Sequence, residues 1–149
     1  MFKQFLASLE MPAGSKSFAD KLRAFIDHYV DSVREHPHAA MWMVAENMAG
    51  NPVLGELLTR AFATEGSPQR DMLEAIESAI ANGEIRPVDP RQLMLTVVSA
   101  CVFFFVTLPT VKMMNPLAAE DFDAYVEQRK KHVFEVVYNG LASREVSDA

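Results

Sequence analysis

Asn82-Gly83-Glu84-Ile85-Arg86-Pro87-Val88-Asp89-Pro90 separates two long apolar patterns, and its punctuation decides the fold. Asn-Gly is a helix stop, because glycine takes the left-handed backbone conformation that returns N–H groups to the last carbonyls of a helix. Asp-Pro is a helix start. The aspartate oxygen accepts from first-turn N–H groups, and proline fills a position whose N–H would be unpaired anyway. Gln92 stands at the capping-box position. Upstream, Met72, Leu73, Ile76, Ala79 and Ile80 recur at helical spacing. Downstream, Leu93, Met94, Leu95, Val97, Val98, Cys101, Val102, Phe103, Phe104, Phe105 and Val106 are apolar nearly all round. A soluble helix with no polar face is buried on every side.

The same signals recur outward from this turn. Phe2, Phe5, Leu6 and Leu9 predict a short helix ended by Met11-Pro12-Ala13-Gly14. Ser17, with Asp20 three residues on, opens an amphipathic helix whose stripe is Phe18, Leu22, Phe25, Ile26, Tyr29, Val30 and Val33. It ends before Pro37, which disfavours a helical His36. A short helix over His38–Met48 stops at Gly50, and Asn51-Pro52 restarts the chain. Gly66-Ser67-Pro68 either breaks or kinks the segment from Asn51 to Asn82. Pro109 and Asn115-Pro116 bracket a connector, and a last helix over Glu120–Leu141 carries Phe122, Val126, Val133 and Val137 on one stripe. Tyr125, His132 and Val136 form a second stripe on another face. No segment alternates with period two, so the expectation is one all-α domain over residues 1–149, an antiparallel bundle of about six helices with a flexible tail over 143–149.

Composition narrows the function. The net charge of −6, from 20 acidic and 14 basic residues, gives no electrostatic footprint for phosphates. The densest basic run, Arg129-Lys130-Lys131, sits between Glu127 and Glu135 and reads as a solvated helix face with ion pairs. Cys101 is the single cysteine, so no intrachain disulfide forms, and within an apolar run it acts as a small hydrophobe. The apolar run Leu93–Leu108 stops at Pro109, short of the ~20 residues a membrane helix needs. With no leader-like start, the expectation is a cytoplasmic chain without a membrane partner.

Catalytic chemistry finds little support. Glu35-His36-Pro37-His38 contains the Glu-x-x-His spacing of di-iron bundles, but Pro37 interrupts the helical face and no second copy exists. His28 with Asp27 and Asp31 reads as helix-surface charge, and His132 beside Arg129 and Glu135 as a surface or interface histidine. Ser99 and Cys101 have no histidine at an evident distance, and no phosphate loop, CxxC or HExxH occurs. Neither a metal nor any other cofactor is expected, and the chain reads as not an enzyme. A structural or adaptor domain, or a small helical enzyme, stands as the alternative.

The turn Asn82–Pro90 resembles the junction between the two central helices of TetR-family regulatory domains. There a helix ends at glycine, a Gly-Glu-hydrophobic-Arg segment follows, and Asp-Pro opens an apolar helix. Arg34-Glu35-His36-Pro37 is similar to the end of that family's first long regulatory helix. The order and lengths of the helices also agree from Phe2 to Leu141. The resemblance implies an effector-sensing and dimerisation domain of a transcriptional repressor. Residues 2–10 would be the remnant of a connecting helix, and operator DNA would be bound only through an N-terminal helix-turn-helix that this chain lacks.

Two sites are expected on this reading. Ten phenylalanines, nine methionines and Trp42 suit an adaptable apolar pocket. The expected lining for a small hydrophobic effector is Phe25, His28, Tyr29, Met41, Trp42, Phe62, Met72, Ile76, Cys101, Phe104 and Phe105. Its volume would be several hundred Å3, roughly that of a small-molecule site. The surplus apolar surface of the last two long helices predicts a two-fold homodimer, with Thr96, Ala100, Phe103 and Thr107 facing Tyr125, His132 and Val136.

Overall fold

The computed structural model describes residues 17–142. The expected helix Phe2–Leu9 and the expected tail 143–149 lie outside the described residues. Within them the chain is all-α, without a strand. Its helices are α1 (Phe18–Glu35), α2 (Pro37–Met48), α3 (Pro52–Ala63), α4 (Pro68–Ala81), α5 (Pro90–Val106), α6 (Leu108–Met114), α7 (Pro116–Glu120) and α8 (Phe122–Leu141). Five of the six expected helices fall in this range. The structure divides one of them and builds two more from the connector.

The caps explain the boundaries. Ser17 Oγ accepts from Asp20 N at 3.1 Å, and Asp89 Oδ1 accepts from Arg91 N at 2.9 Å and Gln92 N at 3.4 Å. Gly83 sits at φ 74°, and Gly83 N and Glu84 N close onto Ile80 O and Ala79 O. The chain between α3 and α4 breaks rather than kinks. Gly66 adopts φ 76°, Ser67 Oγ accepts from Arg70 N at 3.2 Å to start α4, and Arg70 Nη1 donates back to Ala63 O at 3.2 Å. The connector is helical because its prolines stand at helix starts. Thr107 ends α5 and begins α6 at a bend of 80°, and Asn115 Oδ1 caps α7.

The turn from Asn82 to Pro90 also closes the bundle. Ile85 is buried, while Arg86 N donates to Leu141 O at 2.9 Å and Arg86 Nε to Gly140 O at 2.7 Å. The last carbonyls of a helix have no partner within it and carry negative dipole charge, so a guanidinium there satisfies both needs.

Helix α1 is the hub. It packs against α4, α5 and α8 and also touches α2. Leu22, Ile26, Val30 and Val33 are wholly buried, together with Met72 and Ile76 of α4, Val97 and Cys101 of α5, and Val126 of α8. Burying such side chains contributes about 1.5–3 kcal/mol each. The α2–α3 hairpin is different. Only Ala39 and Ala40 of α2 are buried, and none of the described side chains of α3 is.

Two sequence expectations are corrected. Lys130 is not on a solvated face. It is 6% exposed, and its Nζ lies 2.7 Å from Asp31 Oδ1 and 2.8 Å from Glu127 Oε1. Asp31 also pairs with Arg34, which reaches Asp123 at 3.3 Å, so one charge network ties α1 to α8. Nor is α5 covered on every side, because Leu95 and Phe103 are exposed within the single chain.

Burial by itself would lower the Lys130 pKa, but hydrogen bonds to Asp31 and Glu127 outweigh it and hold the ammonium above its ordinary value. Its stabilisation is therefore complete below the unfolded lysine pKa and is lost as pH rises through the folded one. Lys130→Met removes both Nζ contacts in the seam, leaving Arg34 as the cation beside Asp31, and should cost about 2 kcal/mol at pH 7, measured by urea unfolding. Asp27, in contrast, is pushed above its ordinary value, chiefly by burial, with Lys130 opposing and Glu127 and Asp31 adding. Folded Asp27 thus holds a proton more firmly than unfolded Asp27, so its charge at neutral pH weakens the fold. Asp27→Asn should raise Tm at pH 7, and the gain should shrink as pH falls through the carboxylate range. A gain that grows on acidification would reverse this assignment.

Candidate functional site

The expected pocket residues divide into three groups. Phe25, Tyr29, Met72, Ile76, Cys101 and Phe104 are buried together in one apolar cluster, with Phe105 packed against it. Phe25 and Tyr29 rings lie 5.7 Å apart, Phe104 and Phe105 4.1 Å, and Phe104 and Tyr125 5.9 Å. Met41 and Trp42 of α2 are each 43% exposed, and Phe62 of α3 is 38% exposed, so these three lie outside that cluster on the hairpin. His28 is half-buried, and its Nε2 is buried without a hydrogen-bond partner among the described residues. That atom is the unsatisfied polar group nearest in sequence to Phe25 and Tyr29.

An apolar cavity of about 70 Å3 opens where α1, α2, α5 and α6 meet, lined by Val33, Pro37, Ala40, Met41, Val102, Phe105, Val106 and Leu108. It is far smaller than the several hundred Å3 expected. Of its walls, only Met41 and Phe105 belong to the expected set. The others share a sequence signal of a different kind. His36-Pro37 and Thr107-Leu108-Pro109 are both helix breaks, and side chains at two facing helix ends cannot interdigitate as they do along helix shafts.

Nucleophilic chemistry is poorly placed here. Burial pushes the Cys101 thiol up to about 12, with Arg129 opposing and Asp27 adding. Burial likewise raises the Tyr29 phenol above its ordinary value. Both groups stay protonated at neutral pH, and a thiol is a weak nucleophile in that form. Among the described residues no group of three or more His, Cys, Asp or Glu side chains is arranged to hold a metal ion. No single described helix is long and apolar enough to cross a membrane; α5 and α6 would pass only as a pair bent by 80°.

The expected interface residues lie on the outer side of α5 and α8. Thr96, Phe103, His132 and Val136 are exposed, and Ala100, Thr107 and Tyr125 are half-buried. Phe103 is 65% exposed, more than a buried-side phenylalanine of an otherwise apolar helix should be in isolation. Arg129 joins the two helices. Its Nη2 donates to Ala100 O at 3.1 Å, and its guanidinium lies 5.9 Å from the Phe104 ring centre. Beside it an open groove of about 420 Å3 runs along α8, lined by Asn115, Tyr125, Gln128, Arg129, Lys131, His132 and Glu135. Sequence alone does not single out Arg129 or the groove, because the basic run resembles ordinary surface charge.

Comparison with known proteins agrees with this architecture. The family model described as tetracyclin repressor-like, C-terminal domain, matches residues 19–137, which spans α1 to most of α8. No curated protein matches the chain. With most of its length covered by that model and its described residues all helical, the chain belongs to the family of tetracyclin repressor-like C-terminal domains.

Proposed function

We propose that this chain is the effector-sensing and dimerisation domain of a TetR-like transcriptional regulator, and that it binds a small hydrophobic ligand. The observation that carries the reading is the family match over residues 19–137. The uneven packing supports it. A tight core around α1 is joined to a thinly covered α2–α3 hairpin, and the apolar cavity lies at their seam. A ligand entering there spreads the seam, with Met41, Trp42 and Phe105 as adaptable walls and buried Phe25, Tyr29, Met72, Ile76, Cys101 and Phe104 behind them. Phe62 and His28 do not line the cavity as it stands, and a ligand reaches them only once the seam has spread. The walls carry no charge, so a neutral ligand is favoured over an ionic one. Coupling to an operator-binding domain then requires only that the ligand prefer one arrangement of the hairpin over another.

The exposed apolar side of α5 and α8 supports the second half of the proposal. An isologous pairing of these helices with a second copy would cover Thr96, Phe103, Val136 and their neighbours in a four-helix interface.

Two measurements check these statements. In a titration of neutral alkyl and aromatic compounds, Trp42 fluorescence should change, and a hit at a hundred times its Kd should stabilise the fold by about 2.7 kcal/mol. Ala40→Val, which places two further carbons in the cavity, should weaken such hits at least tenfold while the protein stays folded. Hits that are indifferent to Ala40→Val would place the ligand elsewhere. Sedimentation at micromolar concentration should give twice the 16.6 kDa chain mass, and Phe103→Glu should shift it toward monomer. A wild-type monomer would remove the dimerisation half of the proposal.

A further inference from the structure

The outward face of α8 reads Tyr125, Gln128, Arg129, His132, Glu135, Val136 and Asn139. These positions are spaced symmetrically about His132, because any helical face repeats at three, four and seven residues on either side of its centre. When two copies of such a helix meet antiparallel across a two-fold axis at that centre, a residue n places before it faces the one n places after it on the partner. For this face that rule sets Arg129 against Glu135, Gln128 against Val136, Tyr125 against Asn139, and His132 against itself. The charges complement each other only in this direction. A parallel pairing would set Arg129 against Arg129 and Glu135 against Glu135.

The chain leaves Arg129 suited to such a partner. Among the described residues its one hydrogen-bond acceptor is Ala100 O, and its Nε is buried without any. Glu135, the one carboxylate along the groove, has among the described residues only Lys131 at 3.9 Å as an ion-pair partner, an exposed pair of the kind that contributes little. Within a single chain the groove is therefore rich in cationic groups and open.

We infer that the groove of about 420 Å3 on α8 is filled by the α8 of a second copy in antiparallel register, with the two-fold axis at His132 and Glu135 of each copy paired with Arg129 of the other. This rests on the dimer reading above and adds to it the register and the ion pair. The axis places two His132 side chains in contact.

Position 132 is exposed, so His132→Cys in the full chain should fold normally, and Cys101 is buried and does not compete. Under mild oxidation this variant should form a covalent dimer in high yield, since a residue on the axis meets its own copy within disulfide range of ~4.4–6.8 Å between Cα atoms. Gln128→Cys should not, because two copies of residue 128 stand about 12 Å apart along the axis at 1.5 Å per residue. Glu135→Arg should weaken dimerisation at least tenfold, and adding Arg129→Glu should recover most of the loss. Two results overturn the register while the dimer reading stands. One is a dimer by sedimentation in which the Gln128→Cys variant cross-links and the His132→Cys variant does not. The other is a Glu135→Arg variant that keeps full affinity. A wild-type chain that is monomeric at tens of micromolar overturns both readings.

Discussion

Helix α1 must be covered by three other helices at once, and the bundle is arranged around that need. Leu22, Ile26, Val30 and Val33 have no exposure left, and they are reached from α4, α5 and α8 together. Each of these helices therefore runs along α1 at contact distance, and they are joined in turn by the α2–α3 hairpin, the Asn82–Asp89 turn and the α6–α7 connector. Arg86 on the carbonyls of α8 closes one end, and the Arg34–Asp123 pair closes the other. Lys130 lies between them, buried against Asp31. Replacing that network by apolar groups could leave the fold as stable, since desolvating charges offsets much of their attraction. What it adds is register. A lysine in a closed seam accepts one alignment of α8 on α1, the one that brings carboxylates to it.

Much of this is legible in the residues. Ser17, Asn51 and Asp89 mark helix starts, and the stop at Asn82-Gly83 has its mechanism in plain view, because each is a local solution to unpaired backbone groups. Proline misleads in the connector. Pro109 and Pro116 suggest the bounds of an irregular segment, but a proline in the first turn starts a helix as readily as it ends one. Lys130 misleads for another reason. Its neighbours Arg129 and Lys131 suggest a solvated run, whereas its spacing from Val126, Val133 and Val137 places it on the buried stripe. Periodicity carries better information here than charge.

The candidate site is less legible, and the reason is physical. A phenylalanine that lines a cavity and one that fills a core are the same residue at the same helical spacing. Phe104 and Phe105 are adjacent, yet one is in the buried cluster and the other borders the cavity. Where space remains depends on how helix ends meet, which is a property of the packed whole. The residues of the α2–α3 hairpin tell the same story: Met41, Trp42 and Phe62 are apolar, yet among the described residues α3 packs chiefly on α2 and α4, and all three side chains stay exposed. A thinly covered hairpin against a rigid hub is the arrangement in which a small ligand has leverage, because few apolar contacts must be lost for the hairpin to shift.

That division between hub and hairpin is tested most directly by native-state hydrogen exchange resolved along the chain. Amides of α1, α5 and α8 should exchange only through global unfolding, while those of α2 and α3 should exchange through local opening at much lower free energy. Protection of α2 and α3 equal to that of α1 would contradict it, since the hairpin would then be part of the same cooperative core.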